Sequence, residues 1–177
     1  MVSPRQAIRG ISLIETAVTT TVLATLLGVA APSLVEQTTR QRLQAVAAQF
    51  ETDLQLARSE AVLRSQSVRV TFLQDDFGSC YVVHSGAAAD CRCDSSGQVV
   101  CAAGATALRV AALRQDLAVD LRSSSPSMLI DAVGGTVTPT ATVQLRSPAG
   151  SLHQVVNIMG RVRTCTPDGS IPGHRRC

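Results

Sequence analysis

Twenty consecutive residues, Thr16 to Val35, carry no charge, and a lone carboxylate, Glu15, stands at their N-terminal edge. A helix of about 20 apolar residues crosses a hydrocarbon core about 30 Å thick. The sequence therefore predicts a membrane helix over residues 11–35. A secretory signal places its cleavage site after the apolar region, beside small residues. Here the small residue, Gly10, comes before it. A cut after Gly10 leaves the anchor on the mature chain, starting at Ile11. Arg5 and Arg9 of the leader put the N-terminal side in the cytoplasm. A carboxylate in a span costs several kcal/mol and so has a partner or a function. Once Arg9 is removed, Glu15 has no cation within helical reach. Its partner is then a free N-terminal amine, its own or a neighbour's.

The run Gly10-Ile11-Ser12-Leu13-Ile14-Glu15 resembles the leader junction of the type IV pilin and pseudopilin family. Phe is usual after the glycine, so Ile11 is a departure. Pro32 stands where many pilins carry a kinking proline. The resemblance implies cleavage by a prepilin peptidase after Gly10, methylation of the new N-terminus, and an assembly contact for Glu15 inside a filament. The bland alternative is an uncleaved signal anchor with a chance glutamate.

Beyond the anchor, the helical pattern resumes. Leu43, Val46, Phe50, Leu54, Ala57, Ala61 and Arg64 recur at intervals of three and four. Gln41, Arg42, Gln49, Asp53, Arg58 and Glu60 fill the other faces. This is one apolar stripe on an amphipathic helix. From Ile11 to Ser65 the whole helix would be a rod of roughly 80 Å, bent at Pro32. From Val68 the period becomes two. Strands are expected at 68–73, 81–84, 108–113, 117–121, 128–133, 142–146 and 152–158, separated by polar turns. Aromatics make up only 2% of the chain, so the core must come from Val, Leu, Ile and Ala. The expected class is α+β: a long N-terminal helix, half anchor and half amphipathic, packed on antiparallel β-sheet. The organisation is a leader (1–10, removed), an anchor helix (11–35) and a periplasmic globular domain (36–177).

Six cysteines, Cys80, Cys91, Cys93, Cys101, Cys165 and Cys177, point to disulfides in an oxidising compartment. Cys165 and Cys177 stand apart and would close a C-terminal loop. The other four allow three pairings, which the sequence leaves open. Zinc is the rival reading for Cys91-x-Cys93 with His84, but paired zinc ligands are normally two to four residues apart. No metal or cofactor is expected. P-loop, GxSxG and HExxH motifs are absent, so no enzymatic activity is expected. His84 and His153 read as strand or sheet-surface residues.

The order of helix, strands, Cys-rich insertion and strands is similar to the GspH/FimT branch of minor pilins and pseudopilins. Leu56-Ala57-Arg58-Ser59-Glu60-Ala61-Val62, at the end of the long helix, carries much of that likeness.

All 16 basic residues are arginine. Without the leader's two, 14 arginines face 13 acids, so any basic character is local. Between Ala141 and Cys177 lie Arg146, Arg161, Arg163, Arg175 and Arg176, against Asp168 alone. If the last strand continues past Gly160, alternation puts Arg161 and Arg163 on one side, and Gly160 lets the backbone turn. A Cys165–Cys177 bond would fold Arg175 and Arg176 back towards them. Planar guanidinium forks suit bidentate phosphate contacts. Gly160-Arg161-Val162-Arg163 also resembles the GRxR signature of FimT-type minor pilins that bind DNA in natural transformation. That resemblance implies DNA contacts at Arg161 and Arg163; Arg175 and Arg176 are added from charge. No aromatic lies near to stack bases, so binding should be sequence-independent and phosphate-dominated.

The expected function is a minor type IV pilin. It would sit in the bacterial inner membrane, pass into a pilus with other pilins, and bind double-stranded DNA through the C-terminal arginine loop for uptake. The alternatives are a GspH-type pseudopilin of a type II secretion system, in a pseudopilus, or a minor pilin with only a structural, assembly-priming role. The plain alternative for the arginines is a solvated basic tail, or pairing with a neighbouring subunit.

Overall fold

The computed structural model describes residues 12–76 and 78–177, without the side chains of residues 29–33. The cleavage site expected at Gly10 and Ile11 lies outside them. Helix α1 spans Leu13–Arg64. The strands are β1 (Val68–Asp75), β2 (Gly78–Ser85), β3 (Cys91–Cys93), β4 (Val99–Cys101), β5 (Ala107–Arg114), β6 (Asp120–Ser123), β7 (Ser127–Ile130), β8 (Val137–Thr138), β9 (Ala141–Ser147), β10 (Gly150–Val156) and β11 (Val162–Cys165). The described residues divide into two compact units, one ending at Gln37 and one spanning Thr38–Cys177.

In the first unit, α1 opens at Ser12, whose Oγ accepts the Glu15 amide at 3.3 Å. Ser12 and Glu15 hold the positions of a capping box, and a carboxylate in the first turn also complements the helix dipole. Leu13, Ile14, Val18, Leu23, Leu26 and Leu27 are exposed. Threonine hydroxyls donate back to carbonyls of the preceding turn: Thr16 to Leu13 O at 2.8 Å, Thr19 to Glu15 O at 2.9 Å and Thr21 to Ala17 O at 2.8 Å. No helix among the described residues is long and apolar enough to cross a membrane. The expected anchor, 11–35, takes in Ile11 and the side chains of 29–33, which are not described, and the bend expected at Pro32 falls there too.

In the second unit the rest of α1 packs on antiparallel sheets. One has the order β5-β2-β1-β7-β8, another β11-β10-β9-β6, and β3-β4 form a short hairpin. Leu43, Ala47, Phe50, Leu54, Ala57 and Ala61 of the helix are buried with Val70, Tyr81, Val83, Leu121, Met128, Val143, Leu145 and Leu152. Each large aliphatic buried this way contributes about 1.5–3 kcal/mol. The Phe50 and Tyr81 rings meet edge to face at 5.3 Å. Tyr81 Oη donates to Asp53 Oδ2 at 2.8 Å, and Gln154 Nε2 donates to Ala47 O at 2.8 Å. The helix is thus tied by hydrogen bonds to both large sheets.

Several expectations are corrected in detail. Asp53 is buried in the helix–sheet contact, whereas Arg64 is exposed and pairs with Glu60. The stripe follows Ala47, with Val46 only half-buried. Residues 115–117 form a 3-10 turn instead of strand. The chain then reverses at Ala118, at φ 54. Strand β7 stops at Ile130 because the Asp131 carboxylate takes the amides of Val133 and Gly134 at 2.9 and 3.1 Å. His84 is fully buried, between Thr71 Oγ1 at 2.9 Å and Ser85 O at 3.0 Å. The reason is that β2 is covered on both faces: Tyr81 and Val83 face the main core, while Cys80 and Val82 lie in a second cluster with Cys91 and Cys93. That second layer is the β3–β4 hairpin, held by Cys91–Cys101 and Cys80–Cys93. Cys165–Cys177 is the third bond.

Candidate nucleic-acid interface

The arginine region starts as a hairpin. Strands β10 and β11 pair Val156 with Val162, Val155 with Arg163 and Gln154 with Thr164. The strand expected at 152–158 ends at Val156, and the chain reverses at residues 157–161, where Gly160 was expected to let the backbone turn. Asn157 closes this turn, accepting the Gly160 amide on its carbonyl at 2.8 Å and the Arg161 amide on Oδ1 at 2.9 Å. Its short amide side chain suits such local capping. Gly160 sits at φ 67, a left-handed conformation that favours glycine. It is buried, so its part is to shape the turn and not to touch a ligand. Arg161 lies in the turn and Arg163 on β11, and both side chains are exposed. Pairing explains Arg163: Gln154 and Thr164 face inward, which leaves Val155 and Arg163 outward.

The tail returns to this hairpin. The Thr166 amide donates to Arg175 O at 2.9 Å and the Cys177 amide to Thr166 O at 3.2 Å, beside the Cys165–Cys177 bond. Ile171 is buried in the main core and pins the middle of the loop. Asp168 orders the rest. Its Oδ1 accepts the Ser170 hydroxyl at 2.6 Å, the Ser170 amide at 3.0 Å and the Thr166 hydroxyl at 2.9 Å. The Ser170 hydroxyl and amide, then Thr166, hold this carboxyl well below the usual carboxylate range. The one acid of the region is therefore ionised but occupied by neutral donors. Arg176 Nη2 reaches only the Asp168 carbonyl, at 3.5 Å.

Arg163, Arg175 and Arg176 line one groove of ≈ 320 Å³ with Val155, Thr164 and the disulfide. Arg161 is exposed on the adjoining turn and does not line it. Among the described residues, no ion pair involves Arg161, Arg163, Arg175 or Arg176. Arg64, Arg109, Arg114 and Arg122 each face a carboxylate. Four exposed guanidinium groups without anions, three of them in one groove, have the chemistry that suits bidentate contacts with an anion such as phosphate. A larger cavity of ≈ 520 Å³ lies by Gln74, Ser79, Asp120, Arg122 and Arg146. Its cations are already engaged: Arg122 with Asp120 at 3.0 Å and Arg146 with Gln144 Oε1 at 3.0 Å. Sequence reasoning missed Asn157, Thr166 and the groove's dependence on Val155. Gly160 signalled the turn, and the polar Asn157 ahead of Ile158-Met159-Gly160 was a second signal for it.

The fold is the pilin-like α+β arrangement of a long helix on antiparallel sheets. The family model described as "Type II transport protein GspH" matches residues 46–160, well over half of the chain, and the chain belongs to the GspH family. Among solved structures, the type IV minor pilin FimU of Pseudomonas aeruginosa (strain PAO1) is 22% identical, with a TM-score of 0.52, over 71% of this chain and 89% of that one. The minor pseudopilin EpsH from the type 2 secretion system of Vibrio cholerae is 16% identical, with a TM-score of 0.50, over 71% of this chain and 98% of that one. Identities at this level show a shared fold. No curated protein sequence matches the chain. The family match ends at Gly160, so all four unpaired arginines lie beyond it.

Proposed function

We propose that this chain is a minor type IV pilin of the FimT type that captures DNA for uptake in natural transformation. The observation that carries the reading is the set of four exposed arginines free of carboxylates, placed by a hairpin turn and a disulfide-closed tail. The contacts are Arg161, Arg163, Arg175 and Arg176, acting on backbone phosphates without reading sequence. Processing occurs after Gly10 by a prepilin peptidase, leaving Ile11 as the N-terminus. Residues 11–35 then anchor the chain in the inner membrane, with the domain from residue 36 in the periplasm, until it enters a pilus with other pilins through Glu15. Two features support the anchor: the exposed apolar side chains of α1 and the threonine hydroxyls already bonded within the helix. Both suit a lipid environment, where polar groups must be satisfied internally.

The family match favours a second reading, a pseudopilin of a type II secretion system, which has no need of the arginines. DNA binding by the full chain in detergent, disulfides formed, separates the two. The first reading expects salt-sensitive binding to double-stranded DNA that is largely lost in the Arg161→Ala, Arg163→Ala double variant, with circular dichroism unchanged. Absence of binding even at low salt returns the chain to the secretion or purely structural role.

A further inference from the structure

The segment Leu56–Val62 and the segment Gly160–Arg163 are 98 or more residues apart, yet they meet at one side chain. Arg58 is half-buried on α1. Its Nε donates to Gly135 O at 3.0 Å. A Cβ on Gly160 would stand 2.5 Å from Arg58 Cδ and 2.6 Å from Arg58 Nε, so the Gly160 backbone lies directly against the guanidinium stem. The 131–136 loop is itself closed, with the Gly135 amide on Asp131 O at 3.0 Å. The Val137 amide bonds to Ile158 O at 2.8 Å, joining that loop to the turn. Helix, loop and turn thus converge on Arg58. Arg161 follows Gly160 immediately, so whatever fixes Gly160 fixes the stem of Arg161.

We infer that Arg58 is a positioning residue for the arginine surface, clamping the 157–161 turn to α1 so that Arg161 is held out in one orientation. The glycine of the Gly160-Arg161-Val162-Arg163 motif is then explained by packing as well as by φ: only glycine leaves room for the clamp. The clamp's part in DNA capture rests on the function proposed above; the clamp itself does not.

Two readouts on the full chain in detergent test it. The first is residue-resolved amide hydrogen exchange. Arg58→Ala is expected to speed exchange at Val137, Gly160 and Arg161 about tenfold or more, leaving β1 and β2 amides at wild-type rates. Gly160→Ala approaches the same contact from the other side and should give the same local signature, which covers the case of Arg58→Ala failing to fold. Turn amides at wild-type rates in either folded variant overturn the clamp. The second readout is affinity for a 20-base-pair duplex. Arg58→Ala should weaken binding about as much as Arg161→Ala, with the double variant no weaker than Arg161→Ala alone, while Arg58→Ala with Arg176→Ala should multiply. Arg58→Lys keeps the charge but not the planar fork, so it should behave like Arg58→Ala. Full affinity in Arg58→Lys, or multiplication with Arg161→Ala, would make Arg58 a direct phosphate contact and sink the positioning role. If the wild-type chain binds no DNA, the function reading falls alone and the exchange data still decide the clamp.

Discussion

The C-terminal surface depends on how single residues dispose of charge. Asp168 is the one acid in the sequence between Ala141 and Cys177, where the arginines lie, and it could have neutralised one of them. Instead its carboxylate is occupied by Ser170 and Thr166, which keeps Arg163, Arg175 and Arg176 available. Because those donors bind the ionised form, the folded value is lowered, and the sign follows. The contribution is fully present above the unfolded value, near 3.9, and is lost only as pH falls through the lower folded value. The Ser170 amide resonance is therefore expected to hold steady from neutral pH to about 4 and to shift only in stronger acid, tracking the depressed carboxyl. A midpoint in the ordinary aspartate range would mean the Ser170 and Thr166 bonds do not form in solution. Asp168→Asn should retain the turn only in part, since an amide oxygen is a weaker acceptor than a carboxylate.

At the scale of elements, the apolar helix–sheet contact includes a buried side-chain bond from Tyr81 to Asp53. Tyr81 stays protonated, its phenol pushed far up by burial and by the neighbouring Asp53, and so remains a donor. Tyr81→Phe preserves the Phe50 ring contact but leaves a buried carboxylate oxygen without its donor. The expected loss is about 1–3 kcal/mol in denaturant unfolding. A smaller loss would mean that Arg109, at 3.9 Å from the other Asp53 oxygen, swings in to replace it. The Cys165–Cys177 bond makes a second case. Changing both cysteines to serine should cost about 3 kcal/mol by loop-closure entropy and reduce DNA affinity as much as removing Arg175 and Arg176 together. Affinity kept at wild-type level would show that Ile171 and the Thr166 backbone bonds hold the tail unaided. Elements of clear period, the helix stripe through Phe50 and Leu54 and the alternation of β1 and β9, were legible in the sequence. The short β3, β4 and β8 were not, because two or three residues hold no period and the first two exist through their disulfides. The cysteine pairing depends on register: Cys91 faces Cys101 across the hairpin, which only the folded chain defines. Arg161 and Arg163 were legible as a cluster and Gly160 as a turning point, but the early end of the strand was not, since Val155 to Met159 holds a single polar residue, Asn157, whose side chain closes the turn.

For the whole molecule, charge balance limits how the proposed DNA contact could form. Counted without residues 1–10, the chain carries 14 arginines against 13 acids, so there is no general field to draw in a polyanion. Attraction must come from the arginines that carboxylates do not cancel, and four of these lie on one hairpin and its tail. Counterion release makes the count measurable. Each phosphate neutralised on duplex DNA contributes about −0.9 to the slope of log affinity against log salt, so four contacts predict about −3.6 and a loss of about 150-fold between 50 and 200 mM salt. The Arg161→Ala, Arg163→Ala variant should fall to about −1.8, and adding Arg175→Ala and Arg176→Ala should bring the slope near zero. A slope that stays near −3.6 in the double variant would place the contacts elsewhere on the chain. A slope near −2.7 in the wild type, unchanged by Arg161→Ala, would confine the phosphates to the groove and remove the turn from the interface. On the proposed function, binding by one copy should be modest. Several copies along a filament would raise it by effective concentration without altering the slope per contact, so the assembled state should differ from the single chain in affinity and not in salt response per arginine.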